Sequence, residues 1–265
     1  MQVTATAGAT NSSVTVTDRV AASRLPMERF VMSIRRVFPF PALAGLVLLA
    51  GLGACSLATG SDAATLPDPA VDAAPQQGDQ VAVLAGGCFW GLQSVFEHVK
   101  GVKKVWAGYS GGEARTAQYE RVSDGDTGHA ESVKILYDPA KVTYGQLLKV
   151  YFSVATDPTQ LNRQGPDVGT QYRSVIFYGN DEQKRVAGAY IDQLKAAHAF
   201  ADPIVTQVVP LKAFYVAEAY HQDYAEHHPN EPYIMFNDAP KVVHLKQQFP
   251  ALYRPTEQVV MVDMH

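Results

Sequence analysis

The chain has 265 residues, of which 47% are hydrophobic and 18% are charged, and its formal net charge is −4 at pH 7. This length is enough for one domain with a substantial core, and the acidic balance gives no electrostatic footprint for nucleic acid. The two cysteines of the chain exclude an internal disulfide framework in the domain and a cysteine-based zinc cluster.

A segment near the N-terminus has the pattern of an export signal. Two arginines precede the mostly apolar run 37–54, which ends in small residues just before Cys55. A positive start, an apolar middle and small residues at the end predict a secretory signal over residues 32–55. An uncleaved membrane anchor is the alternative, since the run approaches spanning length, but the prolines and glycines within it weaken that interpretation.

Cys55 itself follows the pattern of a bacterial lipobox, in which leucine and two small residues precede the cysteine. A lipidated Cys55 would become the first residue of the mature protein. We therefore expect an exported protein, either in the periplasm or held at the membrane as a lipoprotein. Residues 1–31 precede the charged start of the signal and are interpreted as a non-native or upstream extension.

The composition divides the remainder of the chain into three parts. Residues 56–80 are rich in Ala, Asp, Pro, Gly and Gln, which is typical of a flexible linker. Residues 81–254 are expected to form a single domain, and residues 255–265 a short tail.

Strands and helices are predicted to alternate along this domain. In chain order they are strand 81–85, helix 89–99, strand 102–109, strand 130–137, helix 144–154, strand 173–178, helix 181–200, strand 204–209 and helix 216–227. Thr143 is predicted to cap one helix, and Asn180 with Gln183 to form a capping box for another. The order predicts an α+β fold on the split βαβ (ferredoxin-like) plan, with crossing helices and long loop extensions.

Cys88 is the residue whose surroundings most indicate chemistry. It follows two glycines and precedes Phe89 and Trp90, where a predicted strand gives way to a helix. Free N–H groups and the positive end of the helix dipole favour a thiolate at that position, so we expect a nucleophile with a lowered pKa. The alternative is a small buried residue at a strand–helix junction.

Six short blocks of the sequence resemble the A-type peptide-methionine sulfoxide reductases, over about residues 80–254. The blocks are Gly86–Gly91, Tyr109–Gly112, Tyr119–Val122, Gly128–Glu131, Gly165–Ser174 and Ala217–Gln222. The resemblance implies an enzyme that reduces methionine-S-sulfoxide, protein-bound or free, to methionine. It also implies an external thiol reductant, thioredoxin-like or other, and neither a metal, a flavin nor a nicotinamide cofactor.

The resemblance assigns roles to seven residues. Cys88 is the nucleophile that becomes a sulfenic acid, and Glu131 is the acid, which is useful only if burial keeps it protonated. The other five bind the substrate or its water: Tyr119 and Tyr172 the sulfoxide oxygen, Asp167 water and the peptide backbone, and Phe89 and Trp90 the methyl group. Without the resemblance, the aromatic residues are ordinary core, Asp167 is a turn former and Glu131 is an exposed glutamate.

Two other functions stay open from the residues alone. A Cys–His acyl-transfer hydrolase would use Cys88, His221 and an aspartate such as Asp223. A surface lipoprotein without catalytic activity would bind partners through its aromatic patch. A monomer is expected in each case.

The chain departs from the family at its end. Many family members carry further cysteines near the C-terminus that resolve the sulfenic acid, whereas residues 255–265 contain none. We therefore expect a one-cysteine enzyme, which a donor thiol recycles by direct attack on Cys88.

Overall fold

The computed structural model describes residues 65–255. The predicted signal, Cys55, the first part of the predicted linker and all but the first residue of the predicted tail lie outside this range. Within it, no helix combines the length and the apolar character that crossing a membrane requires.

Within residues 65–255, eight strands form two sheets. They are β1 (Gln80–Ala85), β2 (Val102–Ser110), β3 (Ala130–Tyr137), β4 (Arg163–Gln164), β5 (Asp167–Val168), β6 (Val175–Tyr178), β7 (Gln207–Pro210) and β8 (Phe214–Val216). Six of them make one sheet in the order β7-β6-β1-β3-β2-β8, while β4 and β5 pair only with each other. Neighbouring strands are antiparallel except β6 and β7, which are parallel.

Six α-helices accompany these strands in the described part of the chain. They are α1 (Phe89–Glu97), α2 (Tyr119–Ser123), α3 (Tyr144–Val150), α4 (Asp181–Ala196), α5 (Tyr224–His227) and α6 (Ala239–Gln248). The predicted α+β class is confirmed, with α1 connecting β1 to β2 and α3 lying between β3 and β6 in the chain.

Both faces of the central strand β1 are covered. Ala82 and Leu84 belong to the main core, which the helices α1, α3 and α4 share, whereas Val83 and Ala85 belong to a smaller cluster. Alternate side chains of a strand point to opposite faces, so a strand buried on both faces has a continuous apolar sequence. This burial fixes the end of β1, and with it the start of the turn that carries Cys88.

Two predicted helix caps are present, one of them in altered form. The Thr143 hydroxyl accepts from the Gln146 N–H at 3.1 Å, and the Gln146 side chain accepts from the Thr143 N–H at 2.9 Å. Asn180 Oδ1 accepts from the Gln183 N–H at 2.8 Å, but the Gln183 side chain accepts from Gly179 rather than from Asn180. The second cap is therefore shifted by one residue from a capping box.

The predicted helix 216–227 is wrong for most of its length. Val216 ends β8, a single 3₁₀ turn follows at Ala219–His221, and α5 has only four residues. Asp223 adopts a left-handed backbone conformation with φ 54°, which interrupts a right-handed helix. The helices α2 and α6 lay outside the predicted elements.

The segment 65–79 differs from the predicted flexible linker. It is anchored on α3 and α4: Asp72 accepts from the Gly145 N–H at 2.8 Å and from the Thr143 hydroxyl, and the Tyr190 hydroxyl donates to Pro67 O at 2.9 Å. Three of its apolar residues, Leu66, Val71 and Ala73, also pack against the core. A composition poor in large apolar residues predicts a free linker, but here side chains of the helices satisfy the polar groups of the segment.

Candidate active site

Cys88 lies at the N-terminus of α1, directly after the turn that leaves β1. Two glycines make this turn possible. Gly87 has φ 105°, and a Cβ atom there would lie 2.6 Å from the Gln164 side chain; a Cβ atom on Gly86 would lie 2.6 Å from Thr156 Oγ1. Only glycine fits such positions, and the close approach leaves Cys88 8% exposed at the edge of the core.

Glu131 faces the same helix end from β3. Its Oε2 atom accepts a hydrogen bond from the Phe89 N–H at 3.0 Å, and its side chain is only 3% exposed. Burial raises the pKa of Glu131 to about 8, with smaller contributions from the charges of Asp167 and Asp238, although the Phe89 N–H opposes the shift. The carboxyl group is therefore largely protonated at neutral pH.

The expected lowering of the Cys88 pKa is wrong for the resting site. Burial raises the pKa of the thiol, and the charges of Glu131 and Asp238 add to the effect, while the Trp90 N–H at the helix start lowers it only in part. The favourable helix terminus is present, but desolvation outweighs it. The resting site thus carries protons on both the thiol and the neighbouring carboxyl group.

Tyr119 and Tyr172 approach this site from two different elements. Tyr119 opens α2, and Tyr172 ends a 3₁₀ turn after β5. Burial raises the pKa of both phenols, and the charge of Glu131 is the next contribution for each. Both hydroxyls are therefore protonated donors near Glu131, although the sequence places them more than 50 residues apart.

Asp167 lies in β5 and is half-buried. It accepts a hydrogen bond from the Tyr233 hydroxyl, and burial raises the pKa of its carboxyl group. The charge of Asp167 also raises the pKa of Cys88 and of Glu131. Glu131, Asp167 and the two tyrosines therefore lie close enough to Cys88 to influence one another electrostatically.

The two aromatic residues after Cys88 have different environments. Phe89 is completely buried, whereas Trp90 is half-buried and stacks on Tyr224 with the ring centroids 3.8 Å apart. Tyr233 meets Trp90 edge-on at 6.0 Å, and Trp90 Nε1 donates to His221 Nδ1 at 3.2 Å. Together these rings form an apolar wall beside the thiol.

The hydrogen bonds of the described residues do not join Cys88, His221 and Asp223 into a triad. His221 is bonded to Trp90, and its other ring nitrogen lies 3.9 Å from Glu218. Asp223 instead accepts from the Gln93 side chain at 2.9 Å. Since the histidine has no hydrogen bond to the cysteine, the hydrolase alternative gains no support.

Four residues that contribute to the site were not among the predicted ones. Glu218 accepts from the Tyr109 hydroxyl at 2.9 Å and from the Tyr119 N–H at 3.0 Å, and thereby fixes α2. Within its block, Ala217–Gln222, the sequence indicates a candidate role only for His221. The other three are Tyr233, Asp238 and Lys241, which follow a helix that was predicted wrongly and carry no local signal.

Comparison of the sequence with known proteins identifies the family to which the chain belongs. The family model for peptide methionine sulfoxide reductase matches residues 80–252, so the chain belongs to that family. The chain is 61% identical over 185 residues to the peptide methionine sulfoxide reductase MsrA 2 of Mesorhizobium japonicum, an alignment that covers 70% of this chain and 94% of the relative. It is 55% identical to the MsrA 2 of Synechocystis sp., over 69% of this chain and 88% of the relative.

Solved structures give the same result. The reduced form of Mxr1 from Saccharomyces cerevisiae is 33% identical, with a TM-score of 0.52, and the match covers 62% of this chain and 93% of that one. The methionine sulfoxide reductase A of Corynebacterium diphtheriae is 34% identical with a TM-score of 0.50, over 58% and 77% of the two chains. Within its family the chain is of the A type: it is a peptide-methionine (S)-S-oxide reductase, an oxidoreductase.

Proposed function

We propose that Cys88 attacks the sulfur of methionine sulfoxide while Glu131 donates a proton to the leaving oxygen. The observation that carries this mechanism is the buried Glu131 carboxyl group, bonded to the Phe89 N–H with its pKa raised to about 8, beside the only cysteine of the described residues. A sulfoxide becomes a good electrophile only when its oxygen is protonated. A neutral carboxyl group next to a soft nucleophile meets both needs.

The step balances within the site. A bond first forms between Cys88 Sγ and the substrate sulfur. The protonated oxygen then passes from the substrate sulfur to Sγ, the S–O bond and the new S–S bond break, and methionine leaves. Cys88 is thereby oxidised to a sulfenic acid by two electrons, which reduce the substrate sulfur. The thiol proton restores Glu131. Because the pKa values of both groups are raised, the resting site already holds the protons that this exchange needs.

The neighbouring residues orient the substrate in this proposal. The hydroxyls of Tyr119 and Tyr172 donate to the sulfoxide oxygen, because burial keeps both phenols protonated and both lie near Glu131. Trp90 presents an apolar ring to the methyl group of the substrate, and the ring of Tyr224 stacks on Trp90. Asp167, held by Tyr233, accepts from the backbone of the substrate or from water.

Recycling takes an external thiol in this proposal. A donor thiolate attacks the sulfur of the sulfenic acid, a mixed disulfide forms, and the hydroxyl group leaves as water with a proton from Glu131. A second thiol of the donor then releases Cys88. A dithiol protein of the thioredoxin kind fits this chemistry, because it supplies both thiols.

Two further assignments accompany the mechanism. From the pattern of residues 32–55 we propose that the domain is exported in a bacterium, either held at the membrane by a lipidated Cys55 or released into the periplasm. We also propose the split βαβ plan for the four strands β6-β1-β3-β2; the position of β3 between β1 and β2, which α1 connects, supports this assignment.

The Glu131→Gln variant tests the mechanism. We expect roughly 10²–10⁴-fold slower release of methionine in a single turnover at neutral pH, because an amide keeps the hydrogen bond to Phe89 but is no acid. Glu120→Gln is the matched control, since Glu120 is an exposed carboxyl group on the neighbouring α2. If Glu131→Gln matches the wild type, the proton comes from elsewhere and the proposed mechanism is wrong.

A further inference from the structure

Tyr119 opens the short helix α2, which has no cap from its own stretch of sequence. Gln118 is the N-cap residue, but its side chain makes no capping hydrogen bond, and the helix has only five residues. A helix of this length is not stable by itself, and its first N–H groups need partners from elsewhere. The direction of the Tyr119 side chain therefore depends on a contact outside α2.

Glu218 supplies that contact from the segment that follows β8. Its Oε1 atom accepts from the Tyr119 N–H at 3.0 Å, and its Oε2 atom accepts from the Tyr109 hydroxyl at 2.9 Å. Tyr109 lies on β2 and is completely buried. One carboxylate therefore ties the first residue of α2 to the six-stranded sheet.

The two hydrogen bonds also keep Glu218 ionised. Burial acts to raise the pKa of this half-buried carboxyl group, but the hydrogen bonds outweigh it, that from the Tyr119 N–H most of all, so the pKa lies below its ordinary value. A hydrogen bond to an ionised acceptor is about twice as strong as a neutral one, and the helix dipole favours an anion at an N-terminus. The carboxylate is therefore a firm anchor for α2 at neutral pH.

Glu218 also holds the neighbour of the Tyr119 ring. The Glu218 carbonyl oxygen accepts from the His221 N–H at 3.0 Å and so closes the 3₁₀ turn Ala219–His221. The rings of Tyr119 and His221 lie against one another with their centroids 4.5 Å apart, and the His221 ring is 5.0 Å from that of Phe89, next to the nucleophile. The carboxylate and the carbonyl group of one residue thus fix two rings that are in contact beside the pocket.

We propose that Glu218 is a positioning residue for the reduction: it holds Tyr119 where the phenol donates to the sulfoxide oxygen, and it affects the rate only through Tyr119. This inference rests on the role proposed above for Tyr119. Both oxygens of Glu218 already have partners, so the residue does not need to contact the substrate itself. Loss of the carboxylate frees α2, and the phenol no longer meets the oxygen to which the proton is transferred. The rate of the step falls, whereas binding of the substrate through Trp90 and Asp167 changes little.

A double-mutant cycle between Glu218→Ala and Tyr119→Phe tests this inference. Single-turnover release of methionine from a methionine-S-sulfoxide peptide gives the rate at saturation and the half-saturating concentration for each variant. We expect each single variant to lower the saturated rate about tenfold, the effect of one lost hydrogen bond, and to change the half-saturating concentration by less than about threefold. The double variant should be no slower than Tyr119→Phe, because without the phenol Glu218 has nothing to position.

Three further variants serve as controls. In Glu218→Gln the amide oxygen still accepts from the Tyr119 N–H, and the amide NH₂ can donate to the Tyr109 oxygen, so most of the rate should return. Glu120→Ala removes an exposed carboxylate from the same helix and should leave the rate unchanged. If circular dichroism shows that Glu218→Ala does not fold, Tyr109→Phe takes its place in the cycle, because it removes one anchor of Glu218 with the loss of a single oxygen atom.

The outcomes separate this inference from the proposed mechanism. If Tyr119→Phe is slow and the two losses multiply in the double variant, Glu218 acts by another route and the inference alone is wrong. The same holds if Tyr119→Phe is slow and Glu218→Ala keeps the wild-type rate. If Tyr119→Phe itself keeps the wild-type rate, the role proposed for Tyr119 is wrong, and the inference that rests on it is wrong as well. A slow Tyr119→Phe with no further loss in the double variant supports both.

Discussion

The pocket around Cys88 and the segment 65–79 use buried and half-buried polar groups in opposite ways. In the pocket, Glu131 and Asp238 are buried carboxyl groups with raised pKa values, and Asp238 keeps an unpaired oxygen among the described residues. In the segment, Asp72 accepts from both Gly145 and Thr143 at the start of α3.

We interpret the polar groups of the pocket as serving catalysis, and those of the segment as attaching it to the helices. The carboxyl groups of the pocket have raised pKa values, and one of their oxygens lacks a hydrogen-bond partner among the described residues. Such groups can give a proton to a bound substrate or accept a hydrogen bond from it. The groups of the segment already have their partners in the resting protein. Substitutions in the pocket should therefore change activity more than stability, and substitutions in the segment should do the reverse.

The largest effect is expected for Cys88→Ser. A hydroxyl lacks both the acidity and the softness of a thiol, so we expect reduction of a methionine-S-sulfoxide peptide to fall by more than about 10³-fold. The free energy of unfolding in urea should change by no more than about 1 kcal/mol, since the side chains are nearly equal in size. Turnover within tenfold of the wild type would rule out Cys88 as the nucleophile.

A second prediction concerns the stability of the pocket as the pH changes. The pKa of Glu131 is about 8 in the folded protein, against 4.5 for an ordinary glutamate, so the folded state binds its proton more tightly than the unfolded state does. The stability of the wild type should therefore decrease as the pH rises from about 5 to about 8. Glu131→Gln removes this dependence and should be the more stable protein at pH 9.

Urea denaturation of both proteins at pH 5 and pH 9 measures this effect. Glu120→Gln, which alters an exposed carboxyl group, should follow the wild type at both values. A Glu131→Gln variant that is less stable than the wild type at pH 9 would show that the glutamate is a structural group with an ordinary pKa.

The smallest effect is expected in the segment. Asp72→Ala removes the acceptor for two groups at the start of α3 and should lower the free energy of unfolding by about 1 kcal/mol, as the loss of a helix cap does. The rate of methionine release should stay at the wild-type value. Asp192→Ala on α4 is the matched control, because its partner Lys195 is 3.8 Å away and the carboxylate is 80% exposed. A loss of activity in Asp72→Ala without a loss of stability would contradict the comparison.

Local patterns predicted the structure where the cause is local. The turn from β1 into α1 follows from two glycines and an apolar strand, and the Thr143 cap follows from its own helix start. The motif blocks were sufficient to identify Cys88, Glu131 and the two tyrosines as candidate site residues, because each block is a contiguous stretch of sequence.

The remaining features depend on residues far apart in the chain. The left-handed Asp223 is held by Gln93, 130 residues earlier, and the segment 65–79 is held by hydrogen bonds whose partners lie at least 71 residues later in the chain. The raised pKa of Cys88 likewise depends first on burial and then on the charges of Glu131 and Asp238, none of which follows from its position at a helix terminus. Such long-range contacts leave no periodic pattern, so the sequence alone does not predict them.

The position of Trp90 gives the protein an optical signal of its own. The chain has two tryptophans, and they report on different places. Trp90 stacks on Tyr224 next to the reacting thiol, whereas Trp106 lies on β2 beneath the Lys134 ammonium group, 4.4 Å from its ring centroid. Intrinsic fluorescence therefore contains one emitter inside the pocket and one outside it, and a change in the first can be followed against the second without any added dye.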